Sequence, residues 1–197
     1  MPAWAQIFRS RSLKLRRRVG FRSFCPAALP CLAGGVNPEA ESIIARLGLA
    51  PLPREGGYFR QTWLSESRLA NGRATGSAIW FLLTAADFSA LHRLQAEERW
   101  HFHAGDPVEH VQLTPGQGAG RVTVLGAEAP TNQLPLVVPV GVWQGARLRT
   151  VSQSRGWALV GCTLAPAWED KDFELGQRAS LMQEFPDAVA WINALAR

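Results

Sequence analysis

Residues 92–105 read "HRLQAEERWHFHAG" and hold three of the chain's four histidines and two adjacent glutamates. From Glu97 onward the residues alternate in character. Successive side chains of a β-strand point to opposite faces. Glu98, Trp100, Phe102 and Ala104 therefore share one face, and Arg99, His101 and His103 share the other. The aromatic face is expected to be interior, which places a carboxyl group among apolar side chains. There it must find a partner or stay protonated. His92 lies ahead of the turn "RLQAE" and is expected to meet Glu98 across a hairpin. A His–Glu pair in an apolar interior is a competent general acid/base couple, or half of a metal site. His101 and His103 have ligand-like spacing, but their face is expected to be outward or at a dimer contact. His110, on the next strand, is expected to be structural.

Outward from this stretch the same texture continues. "SAIWFLLT" (77–84), "VEHVQLTPGQGAG" (108–120), "RVTVLGA" (121–127), "LPLVVPVGVW" (134–143) and "WALVGCTLAP" (157–166) are short apolar or alternating runs with turn residues between them. Strands spaced this closely argue for an all-β sandwich or barrel. "TPGQGAG" lacks the lysine and the strand–helix setting of a phosphate-binding loop, so it reads as a hairpin loop. "NPEAESIIARLGL" (37–49) reads as a helix, with Asn37 as cap, Pro38 in the first turn and Gly48 at the end. "FELGQRASLMQEF" (173–185) and "PDAVAWINALAR" (186–197) read as C-terminal helices, the second started by Pro186. "EGGYFRQTW" (55–63) is an aromatic strand behind a glycine pair.

Composition and charge narrow the class. The chain has 197 residues, 47% of them apolar and 19% charged, as soluble globular proteins do. No apolar stretch reaches the roughly 18 residues of a membrane span. The net charge of +5 is unevenly placed. Residues 1–38 carry seven basic residues and no acid, and the remainder is slightly acidic. Residues 1–37 are therefore expected to be a basic leader or the product of a start codon set too early, with Val36 as an alternative start. An organelle transit peptide or an export signal are the other readings of it. Residues 38–197 are expected to form one domain. Because the charge lies on the leader, neither nucleic acid nor membrane is an expected partner. Cys25 and Cys31 lie in the leader. Cys162 alone in the body offers no disulfide framework and reads as a buried small residue. A reducing, cytoplasmic location follows, unless the leader directs import or export.

Two short patterns carry a family resemblance. "H-x-L-x3-E-x6-G", from His92 through Glu98 to Gly105, resembles the first cupin motif. "PVGVWQ" (139–144) resembles the second. With "EGGYFRQTW", "SAIWFLL", "FSALHRL", "VVPVGVWQGA", "LVGCTLAP" and "DFELG" in order, the chain is similar to a cupin branch catalogued as a domain of unknown function. The resemblance implies a mainly β fold: a double-stranded β-helix, or jelly-roll barrel, with a short N-terminal helix and C-terminal helices. It also implies a homodimer and a ligand cavity inside the barrel. His92 and Glu98 take the places of two metal ligands of the motifs. Leu94 stands where a second histidine usually does, and Gln144 stands where the second motif has its histidine. A divalent metal is thus left with an incomplete ligand set, His92 and Glu98 at most, and no cofactor is expected.

The functional reading is a small-molecule-binding cupin, with a sugar-like ligand as one candidate. It would be a metal-independent isomerase or epimerase with His92 as base, Glu98 orienting it and Gln144 hydrogen-bonding the substrate. Trp100, Tyr58 and Arg60 are candidate ligand contacts, and Trp80 and Trp143 are further candidates to line the cavity. The alternatives are a binding or sensor protein without turnover, and a metal-dependent oxygenase-type cupin.

Overall fold

The computed structural model describes residues 37–127 and 135–197. Residues 1–36 of the expected leader, with Cys25, Cys31 and Val36, lie outside the described residues, whereas Asn37 belongs to the folded body as the cap of the first helix. The order is helix α1 (Pro38–Leu47), strands β1 (Ala50–Pro51), β2 (Tyr58–Leu64), β3 (Ser77–Thr84), β4 (Ser89–Leu94), β5 (Glu97–Gly105), β6 (Val108–Leu113), β7 (Arg121–Leu125), β8 (Leu136–Val138), β9 (Trp143–Leu148), β10 (Trp157–Ala165) and β11 (Phe173–Leu175), then helices α2 (Arg178–Glu184) and α3 (Val189–Leu195). The strands make two antiparallel sheets. One has six strands in the order β1-β2-β3-β10-β5-β8, and the other has five in the order β11-β4-β9-β6-β7.

The period-2 pattern explains the layers. Inward side chains of both sheets form a core around Phe81, Leu83, Trp100, Val108, Ala146 and Val160. The outer face of the five-stranded sheet is also apolar. Leu91, Val111, Leu113 and Trp143 there bury against Leu181, Phe185, Ile192 and Leu195 of the C-terminal segment. The outer face of the six-stranded sheet is covered by α1, where Ala40 and Ile43 pack on Leu82 and Trp157. Asn37 caps α1 by accepting from the Ala40 N–H at 2.8 Å, and Gly48 ends it in the left-handed region.

Two sequence expectations give way to tertiary pairing. Phe173–Leu175 is not the start of a helix. It forms an edge strand on β4, pairing Phe173 with Leu94 and Leu175 with His92. Gly176 then donates its N–H to the Leu91 carbonyl at 2.7 Å, and the helix begins only at Arg178. The second change is in β5. Val160 pairs with Phe102 and Leu159 with Ala104, so His103 is an extra residue in that register. Such a bulge shifts the alternation. Ala104 consequently packs with the α1 cluster instead of sharing the Trp100 face.

Gly105 closes β5 at φ 102°, and the next N–H, of Asp106, donates to the Trp157 carbonyl at 2.8 Å. A Cβ on Gly105 would run into that same carbonyl oxygen. Gly105→Ala is expected to lower the unfolding free energy by on the order of 3 kcal/mol. The change should appear as a lower urea midpoint at unchanged m-value. A loss below about 0.5 kcal/mol would show that the turn relaxes around the methyl group.

Candidate functional site

The polar residues inside the barrel come from both sheets. His92 on β4, His110 and Gln112 on β6, and Gln144 on β9 come from the five-stranded sheet; Glu98 and Trp100 on β5 come from the other. His92 pairs with Gln144 in the sheet register, and Gln112 pairs with Gln144 on its other side. Gln112 Nε2 reaches across to the Val137 carbonyl of the opposite sheet at 2.9 Å.

Gln144 organises the centre. Its Oε1 accepts from Trp100 Nε1 at 3.1 Å and contacts His110 Nε2 at 3.1 Å, and its Nε2 donates to Glu98 Oε2 at 2.6 Å. An indole N–H only donates. The Gln144 atom facing Trp100 must therefore be the oxygen, which turns the NH2 group toward Glu98. The same oxygen requires His110 to donate from Nε2. Burial pushes the His110 pKa down to about 4, so the ring is neutral and its proton sits on Nε2. His110 Nδ1 then has no hydrogen-bond partner.

Glu98 is 6% exposed. Burial raises its pKa to about 7; Glu55 adds to the rise, while His92, Gln144 and Trp100 oppose it. Both protonation states are thus populated near neutrality. Cys162, also buried in the core, has its thiol pushed well above the usual range, first by burial and then by the charge of Glu98.

His92 is 2% exposed. Its Nδ1 donates to the Ala90 carbonyl at 2.8 Å, which leaves Nε2 as the working nitrogen. Phe173 stacks on the ring with centroids 5.3 Å apart, and the Arg54 guanidinium lies 4.6 Å from the centroid of the Phe173 ring. The carboxylate nearest Nε2 is that of Glu55, at 3.9 Å. The expected hairpin meeting of His92 and Glu98 does not occur: β4 and β5 belong to different sheets, and the hydrogen-bond partner of Glu98 is Gln144.

Other expected contacts lie elsewhere. Tyr58 packs in the outer cluster beneath α1. Arg60 points outward and donates to the Leu47 carbonyl at 2.8 Å, at the carbonyl end of α1. Both sit outside the barrel because their strand face is the one that α1 covers. Trp80 also lies in that cluster, and Trp143 lies under the C-terminal helices. Of the four candidate aromatic contacts, Trp100 alone joins the site. His101 and His103 line a shallow groove of about 230 Å³ on the outer face, with His103 edge-on to Trp80. Sequence reasoning missed Glu55, which a turn far from either motif brings in. The signal available was that Glu55 opens "EGGYFRQTW", one of the segments that carry the family resemblance.

The donors do not fit a resident transition metal. Leu94 has no lone pair and is packed with Ala96, Leu164 and Phe173. The Gln144 oxygen is already engaged by two N–H groups. Among the described residues no three His, Cys, Asp or Glu side chains converge as a ligand set.

The family description "Cupin superfamily (DUF985)" matches residues 41–176. A Shewanella oneidensis protein of known X-ray structure is 32% identical with a TM-score of 0.72, over 80% of this chain and 97% of its own. A hypothetical protein from Leishmania major is 31% identical with a TM-score of 0.71, over 80% of this chain and 98% of its own. A cupin-2 domain from Rhodospirillum rubrum shares the fold at 14% identity and a TM-score of 0.51, over 89% of this chain and 100% of its own. No curated protein matches the chain. Among the described residues no helix is long and apolar enough to cross a membrane.

Glu98 and His110 oppose each other in their effect on stability. The pKa of Glu98 is raised from 4.5 to about 7, so its contribution is full below 4.5 and is lost as pH rises to about 7. The pKa of His110 is lowered from 6.5 to about 4, so its contribution is full above 6.5 and is lost as pH falls to about 4. Glu98→Gln removes the first effect and exposes the second. Relative to wild type, the variant should gain stability on the order of 3 kcal/mol between acidic and neutral pH, read by urea unfolding across that range. Parallel pH curves for the two proteins would contradict the raised Glu98 pKa.

Proposed function

The chain belongs to the cupin superfamily, in its DUF985 family, and from that membership we propose that the barrel binds a small polar, sugar-like molecule and moves protons on it, as an isomerase or epimerase does. The observation that carries the reading is Glu98, a carboxyl group of pKa about 7 inside the barrel, held by the oriented amide of Gln144. General acid/base groups work best when their pKa lies near the working pH. His92 supplies the second group, with Nδ1 tied to a backbone carbonyl and Nε2 left for exchange. In this reading His92 Nε2 takes a proton from carbon beside a carbonyl, and protonated Glu98 returns one to the opposite face. No electrons are gained or lost. Each turnover leaves His92 protonated and Glu98 ionised, and solvent resets both.

Gln144 acts here as a positioning residue for Glu98, because its carbonyl is already committed to Trp100 and His110. Homodimerisation belongs to the same reading by family resemblance. The depth of His92 and Glu98 favours one competing reading, a binding protein without turnover.

Deuterium exchange at carbon is the direct test, followed by NMR in D2O across a panel of free and nucleotide-linked keto and aldo sugars. Exchange is expected for one class, with loss on the order of 100-fold in both His92→Gln and Glu98→Gln. The rate should fall as pH rises through about 7, where Glu98 loses its acid proton. Tight binding of a ligand without exchange would replace the enzyme reading with the binding one. Protein purified without chelator should carry well under one transition-metal ion per chain by elemental analysis. One full equivalent, lost in His92→Ala, would overturn the metal-independent reading.

A further inference from the structure

Proton balance raises a question of access. His92 must exchange a proton with solvent in each cycle, yet its ring is 2% exposed and its Nδ1 is bound to the Ala90 carbonyl. Phe173 covers one face of the ring. Only Nε2 remains, and the nearest carboxylate to it is Glu55, whose Oε2 lies at 3.9 Å, with the charges of Glu98 and His110 also felt at the ring. The Glu55 side chain is 13% exposed, more open than the ring it faces. It therefore stands between the buried imidazole and the water outside.

The turn that carries Glu55 is built to hold it there. Leu52 and Gly57 close the turn with a bond of 2.9 Å, and the Glu55 N–H donates to the Pro53 carbonyl at 2.8 Å. The Glu55 carbonyl accepts from the Ala90 N–H at 2.9 Å, which locks the turn to the strand that bears His92. Ser89 Oγ donates to Glu55 Oε1 at 2.7 Å and leaves Oε2 to face the imidazole. Gly57 donates its N–H to Asp87 Oδ2 at 2.9 Å. Arg54, the preceding residue, has φ 69° and is the one non-glycine residue with positive φ among the described residues. Backbone held in that region by surrounding bonds is a feature of functional turns. Gly56 follows at φ 102°, and a Cβ there would strike the Phe88 carbonyl.

We propose that Glu55 is the proton relay between solvent and His92. The inference rests on the acid/base reading of the barrel and deepens it. A proton on His92 Nε2 passes to Glu55 Oε2 when the carboxylate pivots about its Ser89 bond and closes the 3.9 Å gap. It then leaves from Glu55 to water, and the reverse path recharges the ring. In the first transfer the N–H bond of His92 breaks and an O–H bond forms on Glu55; in the second that O–H bond breaks and one forms on a solvent water, with no other reactant. Glu98 serves the ligand from the opposite sheet, and Glu55 serves His92.

The test is the solvent-exchange rate of the His92 Nε2–H, measured by NMR on the full-length 15N-labelled protein without any substrate, at a pH acidic enough to protonate the ring while Nδ1 stays bonded to the Ala90 carbonyl. Glu55→Gln should slow that exchange on the order of 100-fold, and in Glu55→Ala, where truncation leaves room for it, added formate should restore much of the loss as a diffusible carboxylate. A structural role would not respond to formate. Glu55→Asp keeps the chemistry on a shorter arm and is expected to fall between wild type and Glu55→Gln, which covers the case in which Glu55→Gln does not fold. Unchanged exchange in a folded Glu55→Gln or Glu55→Asp variant overturns the relay. Slowed exchange in Glu55→Ala that formate does not restore also overturns it, since the residue then acts only by holding the turn. The measurement needs no turnover, so a confirmed relay in a protein that catalyses nothing would sink the enzyme reading alone.

Discussion

One donor that cannot accept sets the polarity of the barrel interior. The Trp100 indole N–H points at the Gln144 side chain, and the group it meets must be the amide oxygen. From that single constraint the rest of the network takes its direction. The amide NH2 faces Glu98, His110 carries its proton on Nε2, and Glu98 receives a hydrogen bond at Oε2. Trp100 and Glu98 stand on the six-stranded sheet, and His110 and Gln144 stand on the five-stranded one. The network is thus also a polar tie between the two halves of the barrel, placed next to the apolar contacts of Phe81, Val108 and Val160. Buried polar groups are tolerated where their bonds are made. Here the exception is His110 Nδ1, and burial keeps that ring neutral.

The same network explains what became of the two motif positions that differ from the usual cupin pattern. Leu94 is an apolar packing residue at the end of the barrel, against Leu164 and Phe173. Gln144 keeps the inward position of a ligand but spends its oxygen on protein donors. The interior is left with carboxyl and imidazole groups whose charge states depend on burial and on one another. Taking a carboxylate out of water is unfavourable, and the Glu98 proton is held correspondingly tightly.

The two families of loops at the site have different characters. On the β4 side, the turn at Glu55 and the edge strand at Phe173 enclose His92 from two directions, and Arg54 lies over Phe173 and couples them. On the β5 side, Glu98 is enclosed by regular strands, with Leu164 and Val138 as its register partners. The imidazole therefore sits beside a turn and an edge strand, and the carboxyl sits inside the sheet. Function carried on loops and positioned by a rigid scaffold is a common division in folded domains.

Much of the architecture was legible in the chain itself, because side-chain alternation and capping are local. The strands, the inward turn of Glu98 and Trp100, the Asn37-capped helix and the burial of Cys162 all follow from period, size and turn chemistry. The resemblance to the two cupin motifs put His92, Glu98 and Gln144 at ligand positions, and all three are buried in the barrel. What the chain alone did not determine depends on which strands become neighbours. A hairpin between His92 and Glu98 was a reasonable local inference, but sheet topology put them on opposite walls. Tyr58 and Arg60 had a strand to sit on, but only the docking of α1 decided that their face is the covered outer one. The bulge at His103 and the pairing of Phe173 with Leu94 arise from cross-strand register, which a linear pattern does not encode. Glu55 reaches His92 across a long sequence separation through backbone bonds to β4. Local periodicity determines which way a side chain faces, and long-range packing alone decides what it meets there.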